Sequence, residues 1–182
     1  MTTALLVIDF QKGLVDTEPQ PGNAAGIAAN IGMLMQRARA ARAPVVLIQH
    51  EDDKELARGS AAWELSERLD VTAADHVVGK RTPDAFLGTE LANVLKRHAV
   101  EHVVICGYAT EFCVDTTVRR SAANGLAVTL AADAHTTHDK PHANAAAIRT
   151  HHNATLANIR SFGPCIVARP SAEIDFTRRV KA

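Results

Sequence analysis

Aromatic residues are scarce in this sequence, and its charges cancel. Phe, Tyr and Trp make up 4% of the 182 residues, so Ala, Val, Leu and Ile must build the core. Twenty Lys and Arg residues balance twenty Asp and Glu residues, and no basic stretch is long enough to follow a phosphate backbone. We therefore expect neither nucleic acid nor an anionic membrane as a partner.

The sequence also lacks long hydrophobic runs and has few cysteines. Its first apolar run stops at Asp9, which is too early for a signal peptide, and no run approaches the roughly 18 apolar residues of a membrane span. The three cysteines match neither a disulfide framework nor a zinc site. They are Cys106, Cys113 and Cys165. We expect a cytoplasmic protein.

Short β-prone runs alternate with helical patterns along the chain. The runs cover residues 5–8, 45–48, 76–78, 103–106, 127–130 and 165–168. The helical patterns cover residues 27–41, 63–69, 91–98, 111–123 and 141–159. The alternation predicts a doubly wound, mainly parallel six-stranded sheet in one α/β domain that spans residues 1–182.

Three ionisable or reactive side chains lie at or near the carboxyl ends of these strands. Asp9 follows the first strand, Lys80 the third, and Cys113 opens the helix after the fourth. Each has an ordinary alternative as a turn former, a solvated cation or a buried small side chain. Ligands of doubly wound sheets bind at this edge, so the convergence of all three favours a functional site.

Cys113 differs from the other cysteines in its setting. A strand turns tightly into a helix between Gly107 and Cys113, and we predict Thr110 as the N-cap. The thiol then lies in the first helical turn, where unpaired N–H groups favour a thiolate and can bind an oxyanion. Cys106 lies within a strand and Cys165 begins one, so we predict that both are buried core residues.

A thiol nucleophile needs a base, and the nine histidines are the first candidates. His135 and His138 follow the fifth strand and are candidates for a substrate contact, but no histidine has a clear claim as the base. Asp9 is the better candidate because it ends the first strand close to Lys80.

Five segments of the sequence resemble the isochorismatase-like cysteine hydrolases, which include nicotinamidases and the N-carbamoylsarcosine and ureidoacrylate amidohydrolases. In chain order they read LVIDFQ (6–11), VGKRTPDAF (78–86), CGYATEFCV (106–114), DAHTT (133–137) and HNATLA (152–157). The resemblance implies a three-layer α/β/α fold with strand order 3-2-1-4-5-6. It further implies a cofactor-free amidohydrolase that acts on a small molecule and forms a homo-oligomer, a dimer or a tetramer.

The resemblance also assigns roles by matched position. Asp9 takes the thiol proton, Lys80 keeps Asp9 ionised, and Cys113 attacks a carbonyl to form a thioester acyl-enzyme that water hydrolyses. The peptide bond between Tyr108 and Ala109 is expected to be cis. The backbone N–H groups of Ala109 and Cys113 are expected to form the oxyanion hole.

One position departs from the metal-binding members of that family. Nicotinamidases carry an Asp-x-His pair after the second strand, but residues 49–52 here read Gln-His-Glu-Asp. His50 and Asp52 stand in a different order and register. We therefore expect no bound metal and a substrate other than nicotinamide.

The substrate pocket is less clearly encoded. Candidate lining residues are Gln11, Trp63, Tyr108 and Phe112, and simple packing is the alternative for the three aromatic side chains. Two other functions stay open. One is a vinyl-ether or ester hydrolase of isochorismatase type in which Cys113 is a bystander, and the other is a non-enzymatic binding module on the same fold.

Overall fold

Six parallel strands form one sheet in the order β3-β2-β1-β4-β5-β6. The computed structural model describes residues 2–177. The strands are β1 (Thr2–Ile8), β2 (Val45–His50), β3 (His76–Lys80), β4 (Val100–Tyr108), β5 (Ala127–Thr136) and β6 (Ile166–Arg169). The parallel pairing and the strand order confirm the predicted fold.

Five α-helices connect or flank these strands in the described part of the chain. They are α1 (Lys12–Val15), α2 (Ala24–Ala40), α3 (Leu91–Arg97), α4 (Asp115–Ala123) and α5 (Ala145–Ala157). A π-helical turn, Thr110–Val114, runs directly into α4, and a 3₁₀ turn, Ser171–Glu173, follows β6. Within residues 2–177, no helix is long and apolar enough to cross a membrane.

The central strands of the sheet are buried on both faces under helices. Successive β1 side chains point to opposite faces, as the pleat of a strand requires. Leu5 and Val7 join the apolar layer under α2, whereas Leu6 and Ile8 join the layer under α3, α4 and α5. Each fully buried Leu or Ile contributes about 1.5–3 kcal/mol. This burial fixes the register of β1 and therefore the position of the residues that follow it.

The connection between β2 and β3 differs from the prediction. Residues 63–69, all of which the structure describes, form turns and an isolated bridge rather than a helix. The N–H of Lys12 donates to the carbonyl of Glu64 at 2.8 Å, and the N–H of Ser66 donates to the carbonyl of Phe10 at 2.9 Å. The backbone groups of this connection are satisfied by the chain around α1, which the sequence did not predict.

Two other expectations need adjustment. Helix α5 begins at Ala145 rather than near residue 141, because the side chain of Asn144 caps it by accepting from the N–H of Ala147 at 2.8 Å. Cys106 is buried as predicted, but Cys165 is partly exposed and precedes β6. Cys165 is therefore not a buried core residue.

Candidate active site

Asp9, Lys80 and Cys113 meet at the carboxyl end of the sheet. Nζ of Lys80 lies 2.7 Å from Oδ2 of Asp9 and 3.3 Å from Sγ of Cys113. We call these three side chains the strand-end cluster. Nζ also lies 3.2 Å from Nδ1 of His50, so its three N–H groups each have an acceptor. Lys80 therefore holds a fixed position between the carboxylate and the thiol.

The backbone around Asp9 is constrained by its neighbours. Asp9 has a φ of 44°, in the left-handed region, and its N–H donates to the carbonyl of Ile48 at 2.9 Å. Gly107 on β4 has a φ of 117°, and a Cβ at this position would lie 2.1 Å from the carbonyl oxygen of Ile8. Only glycine lets β4 approach this closely, so Gly107 helps to set the position of Asp9.

The turn that carries Cys113 begins with the cis peptide bond between Tyr108 and Ala109 that the resemblance implies. The carbonyl of Ala109 accepts from the N–H groups of Phe112 and Val114, at 3.1 Å each. Among the hydrogen bonds of residues 2–177, none joins the N–H of Cys113 to this carbonyl, as a regular α-helical turn would. The π-helical turn therefore replaces the start of the predicted helix.

A series of buried hydrogen bonds connects this turn to β5 and α5. The amide of Asn153 donates to the carbonyl of Ala132 at 2.9 Å, and its oxygen lies 2.9 Å from Nε2 of His135. Nε2 therefore donates, and Nδ1 of His135 accepts from the hydroxyl of Thr110 at 2.8 Å. Thr110 thus lies inside the turn and is not the predicted N-cap. His135 is fully buried, so the candidate substrate contact becomes a brace for the nucleophile turn.

Burial governs the protonation of the strand-end cluster. Burial raises the pKa of Asp9, and the charge of Lys80 is the main opposing influence. Burial also raises the pKa of the Cys113 thiol to about 12, and the carboxylate of Asp9 adds to the increase. A helix start contributes only about 0.3–1 kcal/mol. Burial and the Asp9 carboxylate oppose the helix start, so the free protein favours the thiol over the expected thiolate.

One oxygen of Asp9 is not used by Lys80. Oδ1 is buried and has no partner of good hydrogen-bond geometry among the described residues. The Cys113 thiol is nevertheless close enough for the carboxylate and the thiol to influence the pKa of each other. Oδ1 is therefore the oxygen of Asp9 that can accept a proton.

Gln11, a candidate substrate residue, is fully buried beneath the site. Its amide nitrogen donates to the carbonyls of His50 and Trp63 at 2.9 and 2.8 Å, and its oxygen accepts from the N–H of His50 at 2.8 Å. The protein itself therefore uses both N–H groups of the amide. This arrangement favours a positioning role for Gln11 over a substrate contact.

Trp63 lies beside the strand-end cluster. With Gln49, Lys80 and Leu87 it lines a cavity of about 600 Å³. Its indole N–H is buried and has no partner among the described residues. Trp63 stays a candidate pocket residue.

Tyr108 and Phe112 flank the turn of Cys113. The hydroxyl of Tyr108 lies 2.8 Å from Nδ1 of His138, whose Nε2 lies 2.8 Å from the carbonyl of Pro19. Tyr108 and His138 thus tie β4 to the loop before α2. Phe112 is 54% exposed, with the ammonium of Lys140 5.4 Å from its ring centre. Phe112 is free to contact a ligand, whereas the hydroxyl of Tyr108 is engaged.

The positions considered for a metal have other partners. Oδ1 of Asp52 accepts from the N–H groups of Lys54 and Leu56 at 2.8 Å each, which makes Asp52 a turn former. Nδ1 of His50 contacts Lys80. In the part of the chain that the structure describes, no group of three or more His, Cys, Asp or Glu side chains is arranged to hold a metal ion.

Sequence reasoning did not foresee the contacts of two residues of the site, of which His50 was considered only as a metal ligand. His50 pairs in register with Lys80 across β2 and β3, a signal that was available once the strand order was known. Asn153 lies in one of the five matched segments, but its contact with His135 depends on how α5 packs against β5.

Comparison with known proteins agrees with this architecture. Residues 3–163 match the isochorismatase domain. The chain is 31% identical over 147 residues to the secreted isochorismatase effector Isc1 of Verticillium dahliae, covering 79% of this chain and 77% of that protein. It is 34% identical over 140 residues to a streptothricin hydrolase of Streptomyces noursei, covering 76% of this chain but only 51% of that protein. The chain thus spans about half the length of that hydrolase.

Two further comparisons bear on the chemistry and the fold. The chain is 28% identical over 155 residues to the ureidoacrylate amidohydrolase RutB of Serratia proteamaculans, covering 64% of this chain and 62% of that protein. A crystal structure of an isochorismatase family protein superposes with a TM-score of 0.84 at 34% identity, over 92% of this chain and 97% of that one. The chain therefore belongs to the isochorismatase family of hydrolases, as its motifs predict.

Proposed function

We propose that the protein hydrolyses a C–N bond of a small amide or ureide through a thioester on Cys113. One observation carries the proposal, namely the contacts of Lys80 with Asp9 at 2.7 Å and with Cys113 at 3.3 Å. A carboxylate, an ammonium and a thiol in contact supply the base, the cation and the nucleophile that acyl transfer needs. The similarity to an amidohydrolase adds support for amide hydrolysis.

The first half-reaction moves the thiol proton to Asp9. Sγ of Cys113 attacks the substrate carbonyl while its proton passes to the carboxylate of Asp9. The raised pKa of Asp9 makes the carboxylate a stronger base than an exposed one, which suits this step. The C–N bond then breaks, the nitrogen leaves with the proton from Asp9, and the acyl group stays on sulfur as a thioester.

The second half-reaction uses the same carboxylate. Asp9 takes a proton from water and the hydroxide adds to the thioester; the C–S bond then breaks, the carboxylic acid leaves, and Asp9 returns the proton to Sγ. The ammonium group of Lys80 stabilises negative charge on the Asp9 carboxylate and on the Cys113 sulfur in both half-reactions. The N–H groups of Ala109 and Cys113 are proposed to hold the carbonyl oxygen, since Cys113 does not donate to the nearby Ala109 carbonyl.

A substrate panel tests this proposal. Short amides, ureides and esters are incubated with the wild-type protein and with Cys113→Ala, and ammonia or acid release is measured. We expect ammonia release from at least one amide or ureide, and loss of that release in Cys113→Ala with the fold intact by circular dichroism. Full activity of Cys113→Ala would instead assign the reaction to a mechanism in which Cys113 is a bystander.

The cellular setting completes the proposal. We expect a cytoplasmic homo-oligomer, a dimer or a tetramer, that needs no cofactor. Light scattering coupled to gel filtration reads the oligomeric state directly. A monomeric mass would contradict that part of the proposal and leave the chemistry untouched.

A further inference from the structure

The imidazole of His50 adjoins the strand-end cluster but has no part in the proposed reaction. His50 ends β2 and pairs in register with Lys80 at the end of β3. Ile48 and Val78, each two residues earlier, point into the apolar layer against which Cys113 also packs. Because side chains alternate along a strand, His50 and Lys80 lie on that same face of the sheet.

The contact with Lys80 fixes which ring nitrogen of His50 carries the proton. A lysine side chain only donates hydrogen bonds, so Nδ1, 3.2 Å from Nζ, must accept. The proton of the neutral ring then lies on Nε2. Burial and the charge of Lys80 lower the pKa of His50, which keeps the ring neutral near pH 7.

Gln11 fixes the backbone that carries this ring. The buried side-chain amide of Gln11 accepts from the backbone N–H of His50 at 2.8 Å and donates to the backbone carbonyl of His50 at 2.9 Å. Nε2 of His50 has no hydrogen-bond partner within the described residues. The result is an oriented donor with no acceptor from the protein, next to the nucleophile.

We infer that Nε2–H of His50 donates to an acceptor oxygen of the substrate close to the scissile carbonyl, and so selects amides that carry a second carbonyl. The assignment of a scissile carbonyl to this site rests on the proposed function. Nζ of Lys80 contacts both Nδ1 of His50 at 3.2 Å and Sγ of Cys113 at 3.3 Å, so the ring and the nucleophile share one neighbour and an acyl group on Sγ is held on the side of the site where the ring lies. A substrate without the second oxygen leaves the donor unpaired and binds less well.

Two small amides provide a matched pair of probes. Acetoacetamide and butanamide have the same chain length and the same amide, and differ by one carbonyl oxygen. Each is tested as a protectant of Cys113 against iodoacetamide, with alkylation read by mass spectrometry, so no turnover is required. In the wild-type protein we expect acetoacetamide to protect at about tenfold lower concentration, the effect of one net hydrogen bond.

Two substitutions separate the two ring nitrogens. His50→Asn keeps an oxygen near the position of Nδ1, where it can accept from Lys80, but it has no donor that reaches the position of Nε2. His50→Gln places an amide N–H near Nε2. Each variant is compared with its own unprotected alkylation rate. We expect the preference for acetoacetamide to fall to within about twofold in His50→Asn and to persist in His50→Gln.

Three results would overturn the inference. The first is equal protection of the wild-type protein by acetoacetamide and butanamide, or protection by neither. The second is a preference for acetoacetamide that persists in His50→Asn. The third is an equal loss of that preference in His50→Asn and His50→Gln. Failure of the proposed function has a different signature. In that case Cys113 forms no thioester with any substrate, while the preference for acetoacetamide in the protection assay still stands.

Discussion

Replacement of Lys80 by Met removes a buried cation and keeps a side chain of similar length. Nζ of Lys80 lies 2.7 Å from Oδ2 of Asp9, and the two side chains are 0% and 2% exposed. Removing one partner of a buried ion pair typically costs about 3–5 kcal/mol, because an uncompensated charge stays in the interior. We expect Lys80→Met to lower the free energy of unfolding at pH 7.5 by about this amount.

The loss should depend on pH in a defined direction. Burial already raises the pKa of Asp9 above its ordinary value of 3.8, and Lys80 is the largest influence that lowers it. Without Lys80 the pKa of Asp9 rises further. A carboxyl group with a raised pKa in the folded state destabilises that state when ionised and ceases to do so once protonated. The difference between Lys80→Met and wild type should therefore shrink as the pH falls through the raised pKa of Asp9.

Urea unfolding followed by circular dichroism at pH 7.5 and pH 5 measures both effects. The double variant Asp9→Asn, Lys80→Met should be more stable at pH 7.5 than Lys80→Met alone, since it has no buried charge. Lys12→Met is the matched control, because it breaks solvent-exposed pairs with Glu64 and Glu67 and should cost much less. A deficit that is independent of pH, or a double variant as unstable as the sum of the single ones, would refute the reasoning.

Three further predictions follow from the same geometry. In a pH-rate profile, the kcat/KM of the best amide substrate should fall as the pH drops through the pKa of Asp9, which burial raises above 3.8. At neutral pH, Asp9→Asn should lower kcat/KM about 10²–10⁴-fold. Gly107→Ala should lower the Tm and the activity because its methyl group would lie 2.1 Å from a backbone oxygen of β1, whereas Gly32→Ala, with open space around it, should leave both intact in thermal melts. Asn153→Ala should slow alkylation of Cys113, and Asn153→Asp, which still accepts from His135, should recover part of the rate. Equal alkylation rates in the two variants would contradict a positioning role for the hydrogen bond between Asn153 and His135.

Local patterns were sufficient to predict most of the fold and the members of the strand-end cluster. The alternation of apolar runs and helical spacing predicts β1 to β6, and the prediction is clearest for β1, β2 and β4, whose apolar runs are buried on both faces. Parallel strands bring their carboxyl ends to one edge, which is why Asp9 and Lys80 could be expected together. The position of Cys113 shortly after the fourth strand was equally visible, whereas the reason for Gly107, the close approach of β4 to Ile8, emerges only from the pairing of β4 with β1.

Properties that depend on packing depth could not be predicted. Burial and a carboxylate that is distant in sequence both raise the pKa of Cys113, so the helix-start argument alone left out the two larger influences. Residues 63–69 pair with the chain near α1, which overrides their local helical pattern. His135 looked like a residue of the rim, but β5 runs further than predicted and buries it beneath Thr110.

The central claim is that Cys113 forms a covalent acyl-enzyme, and trapping tests it most directly. The wild-type protein is mixed with an active amide or ureide, quenched in acid during turnover, and digested for mass spectrometry. We expect the mass of the acyl group on the peptide that contains Cys113, with Cys106 and Cys165 unmodified. Continuing product release with no acyl group on Cys113 at any quench time, together with full turnover by Cys113→Ala, would contradict the account.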